Sequence, residues 1–392
     1  MPIRSAANTS GSSPTADGHS FEVSLPPTVL EAGGRLAAPR LRGWSLGPDD
    51  APVVLLVHAL TGDADATGWW GPLIGPGKAL DPTRYRLLCF NNLGGCSGST
   101  GPTDADFPAR SDDARFGPAR SDAPGALPSR DALEPATVTT WDQARAILQA
   151  LDTLGIDRLH LATGGSLGGA IALAVAVLAP HRTERLALFA TCAASSSWIV
   201  GWNHIGRQAI LADPTYPVAA NGLAIARQVA HLTYRAEPGL EQRQGRAQVS
   251  GGWSSREAYR VQTYLQSRGE QLVQRFDART YLCQLGAMDH HDVERRPPAD
   301  FYQDVDAARW GLSRVQASTL AVAVPSDQLY LPSHSRAIVD ALVARGVVAA
   351  YAELDSPHGH DAFLIEWEQM ATHLATALAL PAGTPEPRSD VQ

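Results

Sequence analysis

What this sequence has little of narrows its class first. It holds only four cysteines, Cys89, Cys96, Cys192 and Cys283, and no pair of them has CxxC spacing. Cysteines so placed read as small buried apolar residues rather than as disulfides or metal ligands, so no chemistry and no metal is assigned to them. No run of five or more Lys or Arg occurs, the formal net charge is -8 and the sequence pI is about 5.8. A chain without a basic face has nothing to neutralise a phosphate backbone, which argues against nucleic acid as a partner. Long apolar runs are also missing. The best candidate, Ile171 to Ala179, is alanine-rich and well short of the ~18 residues that a membrane span needs. Residues Met1 to Ser20 carry one Arg and no apolar segment of the kind a secretory leader has, so they read as a flexible tail, and a soluble, cytoplasmic protein is expected.

At 392 residues and 44% hydrophobic composition the chain can bury a large core. Apolar, β-branched stretches at Val53–Val57, Arg86–Phe90, Leu159–Ala162, Leu186–Thr191, Thr319–Val324 and Ala350–Leu354 alternate with helical patterns. Strands separated by helices predict an α/β fold, with a mostly parallel sheet covered on both faces. One helix is well marked: Thr139 and Asp142 have capping-box spacing, apolar residues recur at helical intervals through Leu151, and Gly155 ends it. A second helix is expected over Ser333–Arg345, and a last one from about Asp361 to Leu380.

Two segments break the alternation. Thr103–Pro135 is rich in Asp, Pro, Ser and Arg without apolar period and predicts a long surface loop. From Ser195 to Trp310 the pattern is helical and more polar. It predicts a helical lid, spanning residues 195–310, inserted into an α/β core of residues 21–194 and 311–380. A polar, proline-rich tail covers 381–392.

The sharpest motif is the strand-to-helix passage Leu159–Gly169, which contains Gly164-Gly165-Ser166-Leu167-Gly168. A G-x-S-x-G turn this tight has no room for side chains two residues either side of the serine. It lifts the hydroxyl above the sheet and leaves the Leu167 N–H at a helix N-terminus, where an oxyanion would form. The motif alone is equally compatible with a glycine-rich β–α turn of no catalytic purpose.

A serine nucleophile needs a histidine to take its proton and an acid to orient that histidine, in the chain order Ser, acid, His for an α/β-hydrolase fold. The strand Thr319–Val324 leads to Asp327, and the strand before Leu354 leads to a loop with His358 and His360. His360 is preferred over His358 because Gly359 frees its loop. Asp327 is preferred over Asp355 and Asp361 because it comes from a separate strand end. Taken singly, Asp327 reads as a helix cap and His360 as a solvated loop residue. Their order and placement together favour the triad Ser166, Asp327 and His360. The second oxyanion donor is expected in the loop after Val53–Val57, at Leu60, with His58 supporting that loop.

The residues quoted so far are similar to those of the homoserine O-acyltransferase family of methionine biosynthesis, the MetX type. The likeness continues in His58-Ala59-Leu60-Thr61-Gly62-Asp63, Gly68-Trp69-Trp70, Asn91–Pro102 (NNLGGCSGSTGP), Arg207–Pro214 (RQAILADP), Arg275-Phe276-Asp277 and Gly359–Leu364. It spans roughly Val53 to Glu366 and lapses between Pro102 and Val138. The resemblance implies ping-pong acetyl transfer from acetyl-CoA, a co-substrate, to the hydroxyl of L-homoserine, with no further cofactor. It also implies that Arg227 holds the acceptor's carboxylate and Asp361 its ammonium, and that the protein is a homodimer paired through the lid. Arg227 taken alone reads as a helix-surface charge. Members of the family also resemble one another while using succinyl-CoA or serine, and an esterase or thioesterase would need only water to finish the same acyl-serine. A non-catalytic scaffold of the same fold would have lost a triad member, and none is missing.

Overall fold

A computed structural model describes residues 18–110, 133–249, 259–299, 301 and 309–383. Most of the Thr103–Pro135 segment and both chain tails lie outside them. The centre is an eight-stranded sheet formed by β1 (His19–Ser24), β2 (Arg40–Leu46), β3 (Val53–Val57), β4 (Arg86–Phe90), β5 (Leu161–Gly165), β6 (Arg185–Phe189), β7 (Ser318–Ala323) and β8 (Ala349–Glu353). Their spatial order is β1-β2-β4-β3-β5-β6-β7-β8. Pairs β1/β2 and β2/β4 are antiparallel and all others parallel.

Why both faces are covered is written in the strands. All five residues of β3 are buried, and alternate ones point to opposite sides. Leu55 and Val57 join one apolar cluster, with Trp141, Ile147 and Ile171 from α1 (Thr140–Thr153) and α2 (Leu167–Leu178). Val54 and Leu56 join the other, with Trp70, Met370 and Leu374. Helix α1 begins as expected: the Thr139 N–H donates to Asp142 Oδ2 at 2.9 Å, the Asp142 N–H to Thr139 Oγ1 at 3.3 Å, and Gly155 takes the left-handed conformation beyond its end.

Between β6 and β7 the chain leaves the sheet to form α3 (Ser197–Ala212), α4 (Ala220–Thr233), α5 (Glu237–Gln244), α6 (Arg260–Val273) and α7 (Ala278–Asp289). It returns through β7 to α8 (Pro332–Val343), β8 and α9 (Trp367–Ala379).

Three expectations need correction. The flexible tail cannot extend to Ser20, because His19 and Ser20 pair with Ser45 and Trp44 in the sheet. The strand before the serine is shifted, running through Gly165 itself. The last helix does not start at Asp361: Gly359–Leu364 is a 3-10 turn, and α9 begins only at Trp367. A 3-10 turn keeps the histidine loop tight against the sheet edge while the chain reorients.

Candidate active site

The strand order reverses around β3, with β4 on one side and β5 on the other. At such a point the connections diverge and open a crevice at the C-terminal ends of the strands. Ser166 stands there, between β5 and α2, with φ 57° and ψ -128°. Positive φ is costly for a residue with a side chain and persists only where surrounding contacts impose it. Here the Ser166 N–H donates to Phe189 O at 2.9 Å, and Thr191 Oγ1 donates to Ser166 O at 2.9 Å. The flanking glycines are required by backbone proximity. A Cβ on Gly164 would lie 2.6 Å from both the Gly168 carbonyl carbon and Val57 O, and one on Gly168 would lie 2.1 Å from Val57 O.

Asp327 and His360 reach the same crevice from β7 and β8. His360 Nδ1 lies 2.7 Å from Asp327 Oδ2, and both side chains are buried. The other carboxylate oxygen, Oδ1, accepts the N–H groups of Leu329 at 2.7 Å and Tyr330 at 2.9 Å, so the acid is held from both sides. The Asp327 carboxylate therefore orients Nδ1–H and leaves Nε2 as the basic nitrogen. Burial alone would push the His360 pKa down. The Asp327 charge and hydrogen bond, with the Asp361 charge, outweigh it and hold the imidazole above its ordinary value. His360 Nε2 is buried and has no protein partner, which leaves it available to a hydroxyl.

The competing residues fall away by position. Asp355 is exposed and its N–H bonds Gln369, while His358 is pushed down in pKa, mainly by its desolvation. Gly359 has a role other than loop freedom. At φ 69° it lets the lid backbone approach, and a Cβ there would sit 2.6 Å from Ala236 N.

Leu60 and Leu167 both lie beside this crevice, buried, and their N–H groups donate to no acceptor among the described residues. The geometry behind Leu60 is explicit. His58 Nε2 accepts the Asn92 N–H at 3.1 Å, so the proton sits on Nδ1, which donates to Ala59 O at 2.8 Å. Gly62 N–H donates to the same carbonyl at 3.0 Å. In a trans peptide C=O and N–H point in opposite directions, so pinning the Ala59 carbonyl also fixes the direction of the Leu60 N–H. Burial pushes the His58 pKa down and keeps this imidazole neutral.

The lid brings Arg227 and its neighbours over the site. Arg227 lies on α4 and forms no ion pair among the described residues. Its guanidinium carbon is 5.7 Å from the Tyr234 ring, and that ring is 5.6 Å from the His360 ring. Asp361 is in place but not alone: its Oδ2 is 3.0 Å from Arg235 Nη2, and its N–H donates to Tyr234 O at 3.1 Å. Tyr234 and Arg235 were not identified from sequence. Tyr234 carries a signal that points to it, since it stands seven residues, two helical turns, after Arg227 and so shares its face. A cavity of about 570 Å³, lined by Arg235, Arg246, Tyr259 and Gln328, adjoins these residues on the lid side. Among the described residues no group of His, Cys, Asp and Glu is arranged to hold a metal ion, and no helix is long and apolar enough to cross a membrane.

A serine on the strand-to-helix turn, a buried imidazole nitrogen without a partner and an acid that orients the imidazole are the parts that an acyl-serine mechanism uses. Comparison with known proteins agrees. A family model for the alpha/beta hydrolase fold matches residues 52–233. Homoserine O-acetyltransferase of Carboxydothermus hydrogenoformans is 32% identical, over 92% of this chain and 95% of that protein. The crystal structure of homoserine O-acetyltransferase from Bacillus anthracis covers 94% of this chain and 99% of its own, with a TM-score of 0.76 at 22% identity. Esterase E22 aligns with a TM-score of 0.75 at 18% identity, covering 92% and 100% of the two chains, a likeness of fold alone. The chain belongs to the homoserine O-acetyltransferase family, on the α/β-hydrolase fold.

Proposed function

We propose that this protein acetylates its own Ser166 from acetyl-CoA and passes the acetyl group to the hydroxyl of L-homoserine. In the first half-reaction His360 Nε2 takes the Ser166 proton as Oγ attacks the thioester carbonyl. The oxyanion rests on the N–H groups of Leu60 and Leu167, the carbon–sulfur bond breaks, and the CoA sulfur leaves with the proton from His360. In the second, His360 takes the homoserine hydroxyl proton, the alkoxide attacks the acetyl carbonyl, and Ser166 Oγ departs with that proton. Each imidazolium formed on the way is paired with Asp327 at 2.7 Å.

The observation that supports transfer, rather than hydrolysis, is the Arg227 guanidinium, without an ion-pair partner among the described residues and beside the Tyr234 ring, which itself lies beside the catalytic imidazole. Water needs no cation, whereas a zwitterionic acceptor does: Arg227 offers a fork to its carboxylate and Asp361 a charge-assisted acceptor to its ammonium. Incubation with acetyl-CoA, with and without homoserine, tests this. Thiol release that accelerates with homoserine, and yields O-acetylhomoserine, is expected; release at one rate in both cases makes the protein a hydrolase. A matrix of acetyl-, succinyl- and propionyl-CoA against homoserine and serine defines donor and acceptor.

The same reading makes the protein a cytoplasmic homodimer paired through the lid, where Trp198, Ile205, Ile225 and Leu232 expose apolar side chains on α3 and α4.

A further inference from the structure

The turn that carries Asp327 is fastened on two sides. Before the acid, Ser326 Oγ donates to Ser356 O and accepts the Gly359 N–H at 3.1 Å, which ties the turn to the histidine loop. After the acid, the fastening comes from the lid. The indole N–H of Trp198 donates to Gln328 O at 2.8 Å, across 130 residues of chain. That carbonyl shares its peptide unit with the Leu329 N–H, which donates to Asp327 Oδ1 at 2.7 Å. In a trans peptide the two groups point in opposite directions, so a rotation that breaks one bond breaks the other. Gln328 lies at the surface, where water competes for its carbonyl, and without a fixed donor this peptide is free to turn. Trp198 is such a donor. It stands in the first turn of α3, where the Ser196 side chain caps the helix by accepting the Ile199 N–H at 3.4 Å. Its ring meets Trp202 edge-on, one helical turn further, with centroids 5.6 Å apart. The side chain is otherwise open: Trp198 is 55% exposed, yet its one polar atom is bonded to the residue after the triad's acid.

We propose that Trp198 is a positioning residue for the triad: by locking the Gln328–Leu329 peptide it keeps the Leu329 N–H on Asp327 and the carboxylate aligned with His360. The proposal rests on the acyl-serine reading above. The catalytic step itself is unchanged, a proton passing from the Ser166 hydroxyl to His360 Nε2 while Asp327 holds Nδ1–H. When the peptide turns, Oδ1 loses one of its two main-chain donors and keeps the other, the Tyr330 N–H at 2.9 Å. The carboxylate then rotates more freely about its Cβ–Cγ bond, and its 2.7 Å contact with Nδ1 lengthens on average. Two effects follow, and both are partial because one donor remains. The imidazolium formed in the transition state is less well paired, so the rate falls. The pKa of His360 drops back toward its ordinary value, because the bond that raises it is weaker. The other groups that face this imidazole, Asp361 and the neutral Tyr234 and Tyr330, stay as they are.

Trp198→Phe tests this, since it keeps an aromatic face on the lid and removes the N–H. Acylation is followed with p-nitrophenyl acetate, by p-nitrophenolate release and by intact mass, so no acceptor enters the measurement. The maximal acylation rate should fall about fivefold, the scale of one neutral hydrogen bond, with the KM for the ester unchanged. The acidic limb of the pH profile should move to lower pH by about half a pH unit. In an Asp327→Ala background, with no carboxylate left to align, Trp198→Phe should have almost no further effect. Loss of lid stability alone moves neither the limb nor this comparison. A limb that stays in place, or an equal fold-loss with and without the carboxylate, overturns the proposal. A raised KM with the maximal rate intact also overturns it, because Trp198 would then act on the substrate. Failure of the unaltered protein to form an acyl-serine would overturn the acyl-serine reading and this proposal with it.

Discussion

Arg235 and Asp361 form a partly buried ion pair at 3.0 Å, so the carboxylate assigned to the acceptor's ammonium already has a cationic partner in the resting protein. Two further nitrogens of the same guanidinium, Nε and Nη1, are buried without a hydrogen-bond partner among the described residues. On the proposed reading, removing Asp361 does two things at once: it deletes an acceptor contact and leaves a partly buried cation without this partner. Asp361→Asn is expected to lose acceptor use and to lose about 1 to 2 kcal/mol of stability, between the scales for exposed and fully buried pairs. The double variant Asp361→Asn, Arg235→Gln should regain most of that stability and none of the acceptor use. Chemical denaturation alongside homoserine kinetics separates the two effects, and additive stability losses would show the pair to be uncoupled.

Arg227→Ala should leave Ser166 acetylation by acetyl-CoA near its normal rate and raise the homoserine KM sharply, by about 100-fold for the loss of a charge-assisted pair. Pre-steady-state thiol release reads the first step, and steady-state product formation reads the second. Equal loss in both would remove Arg227 from the acceptor site.

Acyl transfer requires neutral His360, so activity should rise with pH through that residue's pKa. Because Asp327 and Asp361 together hold it above the usual value of about 6.5, the acidic limb should lie above that pH. Asp327→Asn removes the larger of those charges. It should move the limb to lower pH and cut the rate on the order of 10⁴-fold through loss of the productive tautomer. A limb that stays in place in Asp327→Asn would mean that another group titrates.

Gly168→Ala forces a Cβ to within 2.1 Å of Val57 O, a backbone atom that cannot move aside without displacing β3. A loss of about 3 kcal/mol or more is expected from the denaturation midpoint, at the upper end of overpacking costs. Ser166→Ala, by contrast, should abolish acyl-enzyme formation with little change in fold, because the backbone conformation at 166 is imposed by Phe189 and Thr191.

Much of this was legible in the residues, for identifiable reasons. The strands Val53–Val57 and Arg86–Phe90 carry continuous apolar runs because they are buried on both faces, and their limits match the structure. The capping box of α1 is a local interaction and is readable as such. Strands β1 and β2 escaped notice because β1 lies at the sheet edge with mostly exposed residues, which leaves a weak apolar signal. At the site, Ser166, Asp327 and His360 could be placed by chain order, since each follows a strand. The stacking of Tyr330 on His360 could not be: it joins residues thirty apart in the chain, and a tyrosine before a proline-led helix looks ordinary in sequence. The ion pair of Arg235 with Asp361 is likewise a product of lid docking and spans 126 residues of chain that no local pattern connects.

Ser166, Asp327 and His360 are all mounted on ends of sheet strands, whereas Arg227, Tyr234 and Arg235 arrive on a single excursion of the chain between β6 and β7. On the proposed reading, bond making is thus confined to the strand ends, while partner choice is shared between the lid and Asp361 beside the catalytic histidine. A chimera that receives the corresponding helices of a relative with another acceptor should keep forming the same ester intermediate and hand it to a different molecule.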